Sequence, residues 1–382
     1  MSSDARSAHP GPAERVVPDP AGRHAGLRLL AVHAHPDDES SKAAATTARY
    51  VAEGAQVLVV SCTGGERGEI LNPHLLDAPA PRRDMARVRR AEMSRARDVL
   101  GFEHVWLGYV DSGMTPGTSP HGCFADADPA AAVAALVRVV RAFRPHVLLT
   151  YDEHGGYPHP DHLMTHRVAM GAFESAGDPR AHPTLGAAWQ PLKLYYVQIT
   201  TKERVCAFHQ GMLDLGLSSP YEQWVAGWDD AGNRHISARV PCGTYYRYRD
   251  AALLAHASQV DPAGEWFAIP TQVQQWAWPT EDFEAVLSFV PVGDGEDCLF
   301  AHLGRPAQAA DLAARAARDG VPLRLDRRRC GCAQGLLDRV GVRADDEPAT
   351  TLRATGTESP PAVTEFTQSA APRVATASRS RQ

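Results

Sequence analysis

The chain has 382 residues, of which 44% are apolar and 22% charged, with a formal net charge of −6. That length buries a large core as one domain with tails, and the composition is ordinary for a soluble globular protein. The acidic balance argues against a broad nucleic-acid-binding face, and no apolar run is long enough to span a bilayer.

Residues 1–26 are rich in Pro, Ala, Ser and Arg and are expected to form a disordered leader. The leader has no apolar signal core, which makes the cytoplasm the expected location. Leu29 to Val32 is a short apolar run that ends abruptly in His33, Ala34, His35, Pro36, Asp37, Asp38 and Glu39. It reads as a central strand of a parallel sheet running into a polar loop, where ligands of open α/β sheets bind. Ser41 to Gly54 predicts a helix and Gln56 to Ser61 a second strand, completing a βαβ unit. The TGGERG turn at Thr63 to Gly68 lacks the G-x-G-x-x-G spacing, so it is read as backbone lining the site instead of a nucleotide loop. Arg82 to Leu100 predicts a long basic helix closed by Gly101, with most arginines on a solvated face. His104 to Leu107 reads as a third strand, followed by Asp111, Ser112 and Gly113 in a loop. Pro129 to Phe143 predicts an amphipathic helix leading to a strand at Val147 to Tyr151. The alternation implies an α/β fold with a doubly wound, mostly parallel sheet.

The second polar cluster follows that strand: Asp152, Glu153, His154, a Gly155–Gly156 turn, then Tyr157, Pro158, His159, Pro160, Asp161 and His162. His35, Asp38 and His162 together supply two imidazoles and one carboxylate around a divalent ion with a position left for water, the ligand set of a catalytic site. Asp37, beside Asp38, is placed to take a proton from that water, and His159 to donate one or stabilise negative charge. A helix from Pro160 to about Ser175 carries His166, read as packing because the ligand set is already full. Lys193 to Thr200 predicts a further strand, and Lys202 to Asp282 a helical, irregular cap whose tryptophans are read as core. His256 and Gln259 in that half are weaker candidates for substrate walls. Residues 305–382 read as a C-terminal extension, with a helix at Pro306 to Asp319 and disorder after it. The seven cysteines are odd in number and scattered, so no disulfide framework is expected, and Cys330 and Cys332 read as reduced thiols. Two rivals compete: an iron oxygenase using His35, Asp37 and a later His, which fits the α/β alternation poorly, and a binding protein, which would be expected to lack a ligand or Asp37.

HPDDE at His35 to Glu39, TGGERGE at Thr63 to Glu69, DSG at Asp111 to Gly113 and YDEHGGYPHPDH at Tyr151 to His162 resemble the LmbE-like, or PIG-L-like, zinc deacetylases. ESSKAAATTARY at Glu39 to Tyr50 and AHASQVDP at Ala255 to Pro262 resemble the mycothiol-conjugate amidase branch. The likeness spans about Leu27 to Leu303, so the expected domain is 27–304. It implies a Rossmann-like fold, a single zinc (ferrous iron fits the same ligands), and hydrolysis of an amide on an amino-sugar inositol thiol conjugate. It further implies that Arg89 contacts the inositol and Asp111 the sugar hydroxyls. Tyr157 and His159 would hold the oxyanion, with Asp161 orienting His159 and favouring its charged form. Lys42 would reach into the pocket to grip the cysteinyl group, where the deacetylases have a small hydroxyl residue. The alternatives within the family are a deacetylase of N-acetylglucosaminyl-inositol and an antibiotic-pathway relative that trims a mycothiol-bearing intermediate. Nothing in the sequence specifies an oligomeric state.

Overall fold

The computed structural model describes residues 15–79, 83–114, 122–229 and 233–319. Contacts divide the chain into two units, Met1–Cys330 and Gly331–Gln382, and every described residue belongs to the first. The expectations for 1–14 and for 320–382, including Cys330 and Cys332, lie outside the described residues.

Seven strands form one sheet: β1 Arg28–His33, β2 Gln56–Thr63, β3 Glu103–Tyr109, β4 Val147–Thr150, β5 Lys193–Gln198, β6 Ala238–Pro241 and β7 Thr280–Ser288, in the order β3-β2-β1-β4-β5-β7-β6. The first five run parallel, and β7 pairs antiparallel with both β5 and β6. Leu29–Val32 of β1 and Val147–Leu149 of β4 are apolar because helices cover both faces of a parallel sheet. The chain walks outward from β1 to β3 and then crosses back to β4. With right-handed crossovers, that reversal sends successive helices to opposite faces and opens a crevice beyond the carboxyl ends of β1 and β4. Leu29 is paired with Val147, so the polar loops that follow the two strands emerge side by side.

Several elements differ from expectation. The helix expected over Ser41 to Gly54 is two pieces, Asp38–Ser41 and Ala44–Ala52, broken where Ala43 takes a positive φ of 65°. The basic helix begins at Met85, capped by the Asp84 side chain, and ends on Gly101 at φ 80°. Residues 15–26, assigned to the leader, are anchored: Val16 is buried in the main core and its amide donates to the Val99 carbonyl at 3.0 Å. The helix at Pro306–Asp319 also joins the main core, through Ala309, Ala313 and Ala316. Strand β6 falls in the region expected to be helical, and β7 begins at its end. Trp224, Trp266 and Trp276 are exposed, so those tryptophans do not form the cap's core; Phe208, Met212, Ile269 and Val273 do. No helix among the described residues is long and apolar enough to cross a membrane.

Candidate metal centre and active site

The loop after β1 and the segment after β4 meet through their side chains. His35 Nδ1 lies 3.3 Å from His162 Nε2, His162 Nε2 lies 3.4 Å from Asp38 Oδ2, and His35 Nδ1 lies 3.6 Å from the same oxygen. His162 sits in the first turn of the helix Pro160–Ser175, and its ring stacks on Tyr151 with centroids 4.3 Å apart. Gly155 is required beneath it, because at φ 75° a Cβ there would lie 2.7 Å from the His162 Cβ. All three residues are buried.

Each imidazole is anchored through its outer nitrogen. His162 Nδ1 is 2.8 Å from the Gly155 carbonyl, and His35 Nε2 is 3.2 Å from Asp161 Oδ2. If those outer nitrogens carry the protons, the inner ones present lone pairs to each other and to a carboxylate. Acceptors buried at this separation repel unless a positive charge lies among them. The protonation of His35 reports the same demand: burial opposes its charge, but hydrogen bonds to Asp111, Asp161 and Asp38 hold its pKa well above the usual imidazole range. The group therefore fits a metal ion, and the outer partners are of the kind that orient metal-binding histidines.

Asp38 is held from outside as well. Its Oδ2 accepts from the Tyr151 hydroxyl at 2.6 Å and the His35 amide at 3.0 Å, and its Oδ1 accepts from Lys42 Nζ at 2.6 Å. Burial raises the Asp38 pKa, but Lys42 and His162 draw it well below the usual carboxylate range. Lys42 is itself buried, with its ammonium on the Asp38 carboxylate.

Arg89 and Asp111 are likewise turned inward. Arg89 donates to the Gly65 carbonyl at 2.8 Å, to Asp37 Oδ2 at 2.7 Å and to the Pro36 carbonyl, tying the metal loop to the TGG turn. A side chain at Gly65 would collide with that guanidinium. Asp111 accepts from the amides of Gly113 at 2.8 Å and Arg67 at 3.1 Å and lies 3.6 Å from His35 Nε2. In the structure these two residues support the site loops. Asp111 lies in the DSG motif and Arg89 is singled out by the family resemblance, but the sequence carries no signal for the direction in which a side chain points.

Asp37 adjoins the group in the left-handed region, at φ 107° and ψ −27°. Burial pushes its pKa up against the pull of Arg89. His159 is the N-cap of the helix Pro160–Ser175, its Nδ1 accepting from the Asp161 amide at 3.1 Å. That bond leaves Nε2 as the proton-bearing nitrogen. Burial and the rings of His35 and His162 push the His159 pKa down to about 4, so the ring is neutral near pH 7. Asp161 therefore orients His159 through its backbone. Its carboxylate is spent on His35 and on Ser112, whose amide is 2.9 Å away and whose hydroxyl also donates, and it does not secure an imidazolium as expected. The Tyr157 ring lies 4.5 Å from that of His162, and burial raises its hydroxyl pKa, keeping it a donor. His166 packs with Nδ1 3.1 Å from the Tyr151 carbonyl, outside the metal group. His256 is buried, with Nε2 2.7 Å from Glu39 Oε1.

A doubly wound sheet whose switch point brings His35, Asp38 and His162 together defines an α/β protein with a candidate catalytic metal site. The comparisons make the class particular: residues 30–173 match the PIG-L profile, described as GlcNAc-PI de-N-acetylase. The mycothiol S-conjugate amidase of Streptomyces coelicolor is 52% identical over 283 residues, covering 72% of this chain and 97% of that protein. The 1D-myo-inositol 2-acetamido-2-deoxy-alpha-D-glucopyranoside deacetylase of Geodermatophilus obscurus is 41% identical over 295 residues, covering 72% of this chain and 98% of that protein. Among solved structures, N,N'-diacetylchitobiose deacetylase from Pyrococcus horikoshii aligns with 68% of this chain and 83% of its own at 17% identity and a TM-score of 0.47. The chain belongs to the PIG-L family, whose members here are hydrolases of amide bonds.

Proposed function

We propose that this chain is a mycothiol S-conjugate amidase. It hydrolyses the amide between the amino sugar and the cysteinyl group, releasing the amino-sugar inositol and an S-conjugated N-acetylcysteine. The convergence of His35, Asp38 and His162 carries the chemistry. The 52% identity to the Streptomyces coelicolor amidase, against 41% to the deacetylase from Geodermatophilus obscurus, favours the conjugate over the acetylated precursor.

His35, Asp38 and His162 would hold a divalent ion, zinc before ferrous iron, which when bound would acidify a water and polarise the amide carbonyl. Asp37 takes the proton of the attacking water. Its raised pKa makes it a stronger base than an ordinary aspartate, and the acid so formed can hand the proton to the departing nitrogen. His159, neutral with its proton on Nε2, and the Tyr157 hydroxyl donate to the oxyanion as it develops. Lys42 lowers the negative charge that Asp38 brings to the ion, and Arg89 holds Asp37.

Purified full-length protein is to be assayed on a bimane-labelled mycothiol conjugate beside the acetylated precursor. The expected result is a higher kcat/KM on the conjugate; a higher value on the precursor reassigns the chain to the deacetylases. Asp37→Ala is expected to keep its metal and lose about two to four powers of ten in kcat.

A further inference from the structure

Asp37 occupies the left-handed backbone region, at φ 107°, which a non-glycine residue keeps only when its surroundings hold it there. Its side chain is held by Arg89, and its amide by a second device. The amide donates to Glu39 Oε2 at 2.9 Å. The other oxygen, Oε1, accepts from His256 Nε2 at 2.7 Å and from the Ser40 hydroxyl at 2.5 Å. Glu39 and His256 are both buried.

His256 arrives from the far half of the chain, at the end of the helix Tyr246–Ala255 and within the AHASQVDP stretch that the reaction leaves without a role. That stretch is clamped on either side. The Ser258 amide and hydroxyl donate to Glu92 at 2.8 and 2.7 Å, and Gln259 Nε2 donates to the Glu69 carbonyl at 2.9 Å. The oxygens of Asp38 are held by Lys42, Tyr151 and the His35 amide, and Glu39 supports neither of them. The Glu39–His256 couple therefore bears on the base and not on the ligand.

We propose that Glu39 and His256 are positioning residues for the base: His256 holds Glu39 in the rotamer that accepts from the Asp37 amide, and that contact sets the backbone from which the Asp37 carboxylate is aimed. The proposal rests on the reading of Asp37 as the base.

The test uses full-length, metal-loaded protein and the bimane-labelled mycothiol conjugate, with Asp37→Ala as reference. Glu39→Ala and His256→Leu are expected to lower kcat by about 100-fold, the worth of a reacting group displaced by an ångström, with KM little changed and metal content retained. Hydrogen exchange of the Asp37 amide, read by mass spectrometry, is expected to speed up in both. Glu39→Gln and His256→Gln keep an acceptor for the amide and a donor to Glu39, respectively, and are expected to recover most of the rate. Unchanged kcat in Glu39→Ala and His256→Leu beside an inactive Asp37→Ala overturns the positioning role alone, whereas an active Asp37→Ala overturns the reading of the base. Metal lost in step with kcat makes the couple a support of the ligands and overturns the proposal. So does failure of the conservative variants accompanied by a collapsed Tm.

Discussion

Two buried clusters of charge sit at opposite ends of the sheet and are satisfied in opposite ways. At the amino end of β5, Lys193 Nζ lies 3.0 Å from Glu296 Oε2, and the Tyr195 hydroxyl donates to the same oxygen at 2.9 Å. The chain supplies both the cation and the anion there, and the cluster is closed. At the carboxyl ends of β1 and β4, His35, Asp38 and His162 bring acceptors together, and the nearest chain cation, Lys42, stands on the outer oxygen of Asp38. A buried pair completed by the chain serves the fold, while a buried set of acceptors that needs a cation from outside serves chemistry. Burial alone does not separate the two; the sign of what is missing does.

The sharpest way to break the contrast is at His162. His162→Ala is expected to lose most of its bound metal, measured by elemental analysis after chelator challenge, and with it all turnover. Full metal retention removes the ligand assignment.

Lys193→Met attacks the closed cluster and leaves Glu296 buried without its cation. The expected loss of stability is roughly 3–5 kcal/mol by urea unfolding, with kcat of the folded fraction unchanged. Adding Glu296→Leu is expected to recover most of it. A fall in kcat at native stability would put this cluster in the reaction.

Lys42 lies between the two kinds of charge, a chain cation serving a metal ligand. Its bond to Asp38 is of the charged-donor type, worth roughly 1.5–3 kcal/mol. Lys42→Ser is expected to lower kcat/KM on the conjugate and on the acetylated precursor alike, with a changed metal affinity. A loss confined to the conjugate returns Lys42 to a substrate-gripping role.

The smallest effect concerns His146, next to Lys193 across the sheet and buried, with Nδ1 accepting from the Arg28 amide at 3.1 Å. Burial pushes its pKa down to about 3. Above the ordinary imidazole value near 6.5 it is neutral in both folded and unfolded chains and contributes no pH dependence. As pH falls below that value the unfolded chain binds a proton that the native state refuses, so stability drops until the folded pKa is reached. The slope is at most about 1.4 kcal/mol per pH unit for this one group. Urea unfolding of His146→Asn between pH 6.5 and pH 4 is expected to show a shallower slope than the parent; an equal slope assigns the acid sensitivity to the other buried histidines.

The elements that build the site were legible because their signals are local. Strands β1 and β4 carry the apolar runs Leu29–Val32 and Val147–Leu149, the helix Pro160–Ser175 begins at a proline, and the candidate ligands His35 and Asp38 lie within a few residues of the end of β1, with His162 in the first turn of that helix. Strand β7 was not legible, since Thr280 to Ser288 carries Glu281, Asp282 and Glu284, which read as solvated. In the fold Glu281 accepts from the amides of Ala45 and Thr46, and Glu284 from Arg234, so partners distant in sequence make these carboxylates buriable.

The same distinction governs the site. Residue type pointed to His35, Asp38 and His162 as a candidate ligand set beside Asp37, because ligand chemistry belongs to the side chains, and the pairing of β1 with β4 brings them together. Only the tertiary structure decided how the surrounding charges are spent: Lys42 on Asp38, Arg89 on Asp37, Asp161 on His35 and His256 on Glu39. A sequence states which donors and acceptors exist. Which of them meet is set by strand register and by burial, where every polar group left unpaired costs free energy and so takes the nearest complementary partner.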